Sequence, residues 1–457
     1  MNYSRPDSRR RNGFARRRAV VSGLFALALV VGASAHSMTE GRSAEPLPRA
    51  VSDREARPVS IAADGAVRWQ AAEREPAAEG APATAAPASG LSAGTTGRTQ
   101  SEGRTQSESP GPALPASLDE LVAWGAFVEP RRGPLIIARD GGILVADVVE
   151  LTDAALTVDH DQFGEQMLPV GQVRAIVLQW PAARAARDRI ARQCARPPRT
   201  DGRAEVLFDN GDLLLGRLSL GRDGRMELGR GDQRDSVPLE RVAVIRLPTP
   251  TAEEAVRPAA ASRREWAGWA DGTCLLVEGL TIDGEKVSFR AFGGDWKATT
   301  RLLTAIQPVG GRVVYLSDRQ PNAYRHVPFL DAAWLYAFDA TVAGGWPVCR
   351  GRLYRKAIGM HSAARLGFAV ERRAAAFAAA VAIDDTTDGG GSVRVRVFVD
   401  GRPQWAGEII RGGQPPVEVF VRLDGASQLD LVVDYADRAD VLDRVLWLDP
   451  RLILRAD

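Results

Sequence analysis

The sequence predicts an all-β protein: a β-sandwich in the C-terminal third, about three small barrel-like repeats before it, and a disordered N-terminal region. Three observations carry that expectation. Beyond residue 390, apolar residues alternate with charged ones in runs closed by turn residues. Between residues 135 and 306 one pattern of hairpin turns recurs three times. Residues 36–115 are Ala, Pro, Gly, Ser, Glu and Arg with scarcely any aromatic side chain.

At the N-terminus, Arg9, Arg10, Arg11, Arg16, Arg17 and Arg18 precede an apolar run from Ala19 to Val31, and Ala33-Ser34-Ala35 supplies small residues at the cleavage positions. This is the plan of a secretory signal over residues 1–35, cut before His36. Left uncleaved, the same stretch would be a membrane anchor, although Ser22, Gly23 and Gly32 interrupt it and it is short for a bilayer span. A membrane is a partner only in that case. Arg17-Arg18 keeps a twin-arginine export route open. Residues 36–115 cannot bury enough apolar surface to offset an ordering entropy of roughly 1–2 kcal/mol per residue. They also carry a tandem hexapeptide from Gly97 to Glu108, and a solvated, disordered tether is expected.

The repeats follow. Leu135-Ile136-Ile137-Ala138-Arg139-Asp140-Gly141-Gly142 matches Glu205-Val206-Leu207-Phe208-Asp209-Asn210-Gly211, and Val173-Arg174-Ala175-Ile176 matches Val242-Ala243-Val244-Ile245 at a constant offset of 69 residues from Gly142 onward. A degraded third copy runs through Trp269-Ala270-Asp271-Gly272 and Ile282-Asp283-Gly284 to Leu302-Leu303-Thr304-Ala305-Ile306. Asp-Gly and Asn-Gly between alternating apolar strands are hairpin signals. Each unit therefore reads as a small, bent, five-stranded sheet of Sm-like or SH3-like type: residues 116–181, 201–250 and 262–310. Ala182 to Cys194 has the composition of a helix, stopped by Pro197-Pro198, in a linker over residues 182–200. No aromatic ladder or basic stripe marks the repeats as RNA binders, so they are expected to pack and space.

Composition narrows the function. Lys+Arg and Asp+Glu, 59 against 57, nearly cancel, so no chain-wide field for polyanions exists and nucleic acid is not an expected partner. The three cysteines, Cys194, Cys274 and Cys349, form no CxxC pair and have no histidine at a zinc-ligand interval. They read as small buried apolar residues.

In residues 311–457, Val393, Val395, Val397 and Val399 alternate with Arg394, Arg396 and Phe398; Val417 to Leu423 and Leu429 to Tyr435 repeat the pattern. Phe377, Ala379, Val381 and Ile383 keep the same period of two, so that stretch is expected as a strand despite its alanines. Val314-Tyr315-Leu316-Ser317-Asp318, Pro328-Phe329-Leu330-Asp331, Lys356-Ala357-Ile358-Gly359-Met360-His361-Ser362, Ile383-Asp384-Asp385, Ile410-Arg411-Gly412-Gly413 and Val432-Val433-Asp434-Tyr435-Ala436-Asp437 resemble, in order and spacing, the NPCBM domain. That family is a carbohydrate-binding module also found beside glycoside hydrolase family 98 domains. The preceding repeats resemble those of large exported proteins of planctomycete-type bacteria. The resemblance implies a galactose-binding-like jelly-roll sandwich that takes carbohydrate at loops on one end, often with a structural Ca2+ nearby. Trp346, Cys349 and Pro450 depart from the family's pattern.

A pyranose offers an apolar face and a polar rim, so its site needs a flat aromatic and convergent polar groups. Trp346, after Gly344-Gly345 in a loop, is the expected platform; Trp405 lies just after a hairpin and Trp447 alternates between leucines as a core residue would. His361, Asp384, Asp385 and Arg411 are the expected polar partners, His361 being either a packing residue or part of the glycan loop. Asp384 and Asp385, before a glycine-rich loop, could cap a turn or meet a metal ion or ligand. His160 and His326 have no partner visible in the sequence. No nucleophile elbow, zinc-protease or P-loop motif is present, and no segment of about 250 residues remains for a catalytic barrel. The expectation is an exported, non-catalytic carbohydrate binder; the alternative is a structural or protein-interaction protein of the envelope whose sandwich no longer binds sugar.

Overall fold

The computed structural model describes residues 48–52, 55–71, 114–230, 233–250, 263–329 and 332–455. The expected signal peptide and the tandem hexapeptide lie outside the described residues, as do Leu330 and Asp331. Among the described residues no helix is long and apolar enough to cross a membrane.

Three segments share one plan. In the third, Arg264–Trp269, Cys274–Asp283, Lys286–Ala291 and Gly294–Thr299 form an antiparallel meander, and Leu303–Val309 returns through a single 3-10 turn to pair with the first strand. The first two units pair in the same order, with the first unit's second strand split into Ile143–Val145 and Asp147–Leu151. Their first turns are identical in chemistry. Oδ1 of Asp140, Asn210 and Asp271 accepts the N–H two residues on, at 2.8, 3.0 and 2.9 Å, while Gly141, Gly211 and Gly272 adopt φ of 93°, 90° and 98°. A helix forms at Arg184–Ala195, within the expected linker.

The structure corrects the expected tether. Arg49–Val51, Ala56–Ile61 and Val67–Ala71 are strands; the Ala56–Ala71 hairpin and Leu121–Gly125 rebuild part of a fourth barrel-like unit, whereas Arg49–Val51 pairs parallel with Leu121–Gly125, unlike any strand of the repeats. The hairpin of that unit repeats the second unit's bond for bond. Ala62 and Gly221 donate to the carbonyls of Ala66 and Arg225, both at 3.0 Å, and Gly65 and Gly224 donate to Ala62 and Gly221, both at 2.9 Å. Ala66 and Arg225 N–H groups donate to Asp64 and Asp223 Oδ1 at 3.0 and 3.1 Å. The segment was hidden because its composition is averaged with that of its surroundings, whereas what folds it is four positions, Val51, Ala56, Ile61 and Val67, buried in the shared core.

The units associate in nested pairs. The closing strands of the first and second pair with Ile176 opposite Ile245 and Ala175 opposite Arg246. The closing strands of the third and the N-terminal unit pair with Ile306 opposite Trp124 and Ala305 opposite Gly125. These are the same repeat positions, so each pair has a local twofold relation. A second contact repeats it, with Leu220 opposite Leu151 and Ile282 opposite Ile61.

The C-terminal part is the expected sandwich. One sheet orders Ala337–Phe338, Ala357–His361, Arg444–Leu454, Ala374–Ile383 and Val417–Arg422, with Val313–Tyr315 also on Arg444–Leu454. The other orders Ala323–His326, Ala364–Ala369, Gln428–Tyr435, Ser392–Val399 and Arg402–Ala406, with Ile410–Arg411 also on Ser392–Val399. Phe377, Ala379, Val381 and Ile383 face Val393, Val395, Val397, Leu429, Leu431 and Val433 across the core. The alanine-rich segment is a strand because both of its faces are covered: Ala382 packs with Leu446 and Leu448 beneath Cys349 and Tyr354.

The sandwich is joined to the barrel units by a small sheet of Phe127–Val128, Arg352–Leu353 and Val348–Cys349. Gln307 Nε2 also donates to Tyr315 Oη at 2.7 Å and to Asp449 Oδ1 at 3.1 Å. Two of the residues that depart from the family pattern, Trp346 and Cys349, stand at this junction.

Candidate functional site

Trp346 is not an open platform. Its ring packs on Trp180, centroids 5.2 Å apart, and its carbonyl accepts from Arg184 Nη2 at 3.3 Å. Gly345 is small because a Cβ there would lie 2.8 Å from Asp188 Oδ1 of the linker helix. The double glycine that marked a loop in the sequence marks a close helix contact instead. Trp447 is wholly buried, and Trp405 is half-buried against the same core.

Asp384 and Asp385 work as turn and loop anchors. Asp384 Oδ1 accepts from the Thr386 N–H at 3.1 Å and Oδ2 from the Thr386 hydroxyl at 2.8 Å. Asp385 accepts the N–H groups of Arg350 and Gly351 at 2.8 and 2.9 Å. Donors so engaged do not fit a calcium ion, and among the described residues no group of three or more His, Cys, Asp or Glu is arranged to hold a metal. Burial pushes the Asp384 carboxyl up to about 6, against the pull of its Thr386 hydrogen bonds.

His361, Asp384 and Arg411 do gather at one end of the sandwich. His361 lies opposite Arg444 in register, the Arg444 carbonyl accepts from Asp384 N–H at 2.9 Å, and Arg444 Nη1 donates to Thr386 Oγ1 at 3.3 Å. Arg411 pairs with Asp437 at 2.8 Å, whose carbonyl accepts from Ser392 Oγ at 2.8 Å.

Residues that the sequence did not single out complete this end. Trp334 stacks on His361, centroids 4.9 Å and planes 5° apart, and His326 stands edge-on to His361 at 6.1 Å. The Trp334 N–H donates to His326 Nδ1 at 3.3 Å, which leaves the proton of the neutral ring on Nε2. His326 Nε2 is buried without a hydrogen-bond partner, while the Ser362 backbone lies against the His361 ring and the Ser362 hydroxyl against the Asp443 carboxyl, in contacts too poorly aligned to satisfy His361 Nδ1, Ser362 Oγ or Asp443 Oδ2 fully. Asp443 uses its other oxygen on the Ser392 N–H at 2.8 Å. A buried polar atom left unpaired costs about 1–3 kcal/mol, so the gathering of such incompletely satisfied groups at one end of the sandwich marks it as the candidate site.

Burial lowers the His361 pKa; Asp440 opposes this and His326 reinforces it. Burial lifts the Asp443 carboxyl to about 6, offset in part by the Ser392 N–H and the nearby Ser362 hydroxyl. Around these groups Phe329 (57% exposed), Leu335 (74%), Val441 (60%) and Tyr435 (47%) present apolar surface, and Phe329 meets Tyr435 edge-on at 6.2 Å. His326 had no partner visible in the sequence because its partners are the backbone of Trp334 in the following loop and His361 on a strand of the other sheet.

The remaining histidine among the described residues is structural: His160 Nε2 lies 3.0 Å from Asp271 Oδ2, tying the first unit to the third. Cys194, Cys274 and Cys349 are buried free thiols, and burial pushes them up to about 12, 12 and 11. They are inert as nucleophiles.

Residues 312–453 match the family model of the NPCBM/NEW2 domain. A curated protein of Renibacterium salmoninarum, named "Putative endo-alpha-N-acetylgalactosaminidase", is 26% identical over 167 residues, 31% of this chain and 11% of its own length. The chain thus spans about a tenth of that relative. Among solved structures, the CBM51 of Clostridium perfringens GH95 in complex with methyl-galactose is 21% identical, covering 31% of this chain and 99% of that one, with a TM-score of 0.28. CBM51-2 with GlcNAc and INT domains from Clostridium perfringens ZmpB is 20% identical over 39% of this chain and 37% of that one, TM-score 0.29. The tandem CBM51 modules of Sp3GH98 from Streptococcus pneumoniae are 12% identical over 70% and 88%, TM-score 0.28.

Proposed function

We propose that this protein is an exported, non-catalytic carbohydrate binder whose site is the end of the sandwich formed by His326, Trp334, His361, Ser362, Asp443 and Arg444, rimmed by Phe329 and Tyr435. The observation that carries the reading is the convergence of buried, incompletely satisfied polar groups of His326, His361, Ser362 and Asp443 beside exposed aromatic rings. A sugar supplies what that arrangement lacks: hydroxyls for the polar atoms and C–H faces for the rings. The match of residues 312–453 to the NPCBM/NEW2 domain supports it, as does binding of methyl-galactose and GlcNAc by the CBM51 modules. Export rests on the arginine-then-apolar N-terminus.

Calorimetric titration of the chain from residue 48 onward with methyl-galactoside, N-acetylglucosamine and cell-wall, mucin-type and algal polysaccharides tests the proposal. A Kd in the millimolar to micromolar range, about −4 to −8 kcal/mol, is expected for one ligand class. His361→Ala, and the surface pair Phe329→Ala with Tyr435→Ala, should each weaken it by about tenfold or more. Silence across the panel would sink the reading.

A further inference from the structure

The two sheets of the sandwich differ on their outer faces, and the outer face of the Ala323–His326 to Arg402–Ala406 sheet is open. Cross-strand register places Arg325 opposite Arg365, Arg365 opposite Val432, and Val432 opposite Arg396, so three guanidinium groups share one row across four strands. Arg394 stands one row away, opposite Asp434. With neighbouring strands about 4.8 Å apart, the row is about 15 Å long, a straight track perpendicular to the strands.

Four arginines meet two carboxylates on this face. Arg365 donates to Asp430 at 2.6 Å and Arg396 to Asp434, yet the two arginine side chains stay 54% and 45% exposed. Arg325 and Arg394 are exposed and have no acidic partner among the described residues. Asn322 and Gln428 continue the face with amides: Asn322 Nδ2 donates to Gln428 Oε1 at 2.7 Å, and Gln428 Nε2 to Asp430 Oδ1 at 3.1 Å. This network lies over Gly367, where a Cβ would come within 2.7 Å of Asp430 Oδ1 and of Gln428 Nε2. Phe398, half-buried on the same face, holds the Arg396 guanidinium 5.6 Å from its ring centre.

We infer that this face is a second binding surface, independent of the loop-end site, and that it takes an acidic polysaccharide of the polyuronate class lying along the arginine row. Charge complementarity selects the occupant. Guanidinium groups pair with carboxylates through parallel N–H donors, the amides serve sugar hydroxyls, and Phe398 offers an apolar edge. The row's guanidinium groups stand on the first, second and fourth strands with Arg394 one row away, an elongated cationic stripe that suits a linear chain carrying several carboxylates. The near-neutral charge of the whole chain does not oppose this, because a local excess of arginine over carboxylate needs no net charge on the chain.

The test is retention and titration of the full chain against polygalacturonate, its fully methyl-esterified form and single-stranded DNA at low ionic strength. The expected result is binding to polygalacturonate that weakens with salt, with little binding to the ester. Arg325→Glu with Arg394→Glu, both exposed and outside every ion pair among the described residues, should weaken polygalacturonate binding by about tenfold or more. Titration of a neutral sugar at the loop end should be unchanged in that variant, and His361→Ala should leave polygalacturonate binding unchanged, which separates failure of one surface from failure of the other. Equal binding of the ester, or a double variant within twofold of the parent, overturns the proposal. DNA that competes as strongly as polygalacturonate also overturns it, since the face would then read charge and not sugar.

Discussion

The sandwich is made of two sheets that contribute to one core and face outward in opposite ways. Along Ala374–Ile383 the outward positions are Ala376, Ala378, Ala380 and Ala382; along Ser392–Val399 they are Arg394, Arg396 and Phe398. Strand formation needs neither set, because the inward residues of both are aliphatic and aromatic. What differs is what lies outside. The alanine face is small because residues 348–354 and the long Arg444–Leu454 strand leave no room for more. The arginine face has no such cover. Outward residues on a sheet thus record what the sheet meets, while inward residues record that it is a sheet.

Substitutions can break this contrast. Ala382→Arg places an unpaired cation among Cys349, Ala357, Leu446 and Leu448 and should cost at least about 3–5 kcal/mol, read as a fallen urea midpoint or loss of soluble protein. Arg394→Ala on the other face should stay within about 0.5 kcal/mol. Comparable effects of the two would end the distinction between the sheets.

The next effect lies where the sheets meet. Asp443 precedes the Arg444–Leu454 strand of one sheet and accepts the Ser392 N–H of the other. Burial raises its folded pKa from 3.8 to about 6, so the folded chain holds that proton more tightly than the unfolded chain does. Its contribution to stability is therefore full below about pH 4, falls as pH climbs to about 6 and is flat above, a loss of roughly 2–3 kcal/mol by pH 7. Asp443→Asn keeps the acceptor for Ser392 and removes the charge. Denaturant titrations at about pH 4 and 7 should show the variant level with the parent in acid and more stable at neutrality; an unchanged pH profile would mean that the carboxyl is well solvated.

The smallest of these effects sharpens the meaning of Lys356-Ala357-Ile358-Gly359-Met360-His361-Ser362. A Cβ on Gly359 would lie 2.5 Å from Val342 N and 2.6 Å from the Ala340 carbonyl. Gly359→Ala should therefore cost about 1–3 kcal/mol, measured by thermal or urea unfolding, because backbone must move. A neutral outcome would show that the 340–342 loop yields freely.

Much of the fold was legible. Period-two runs located the strands at Phe377–Ile383, Val393–Val399 and Leu429–Tyr435, and the family resemblance placed them in a carbohydrate-binding-type sandwich. Ile61 to Val67 escaped notice although Asp64-Gly65 is a hairpin signal, because so short a strand pair sits in a long Ala-Pro-Glu setting. The site was legible only in part. His361 was found through its motif, but His326 ends a strand of the other sheet while Trp334 and Asp443 lie in two separate loops, and they meet only once the sheets close. Trp346 misled because a double glycine looks the same whether it frees a loop or lets a helix approach.

The nested pairing of barrel units bears on how the chain is made. Ile61 finds its partner in Ile282, and Trp124 finds its partner in Ile306, so the N-terminal unit cannot complete its hydrogen bonds until more than 180 later residues exist. A chain emerging from its N-terminus must carry an unpaired strand edge through synthesis of the first and second units, which can close on each other at once. Assembly is thus from the inside outward, and the interval before the third unit arrives is when this protein is most exposed to mispairing with its own copies.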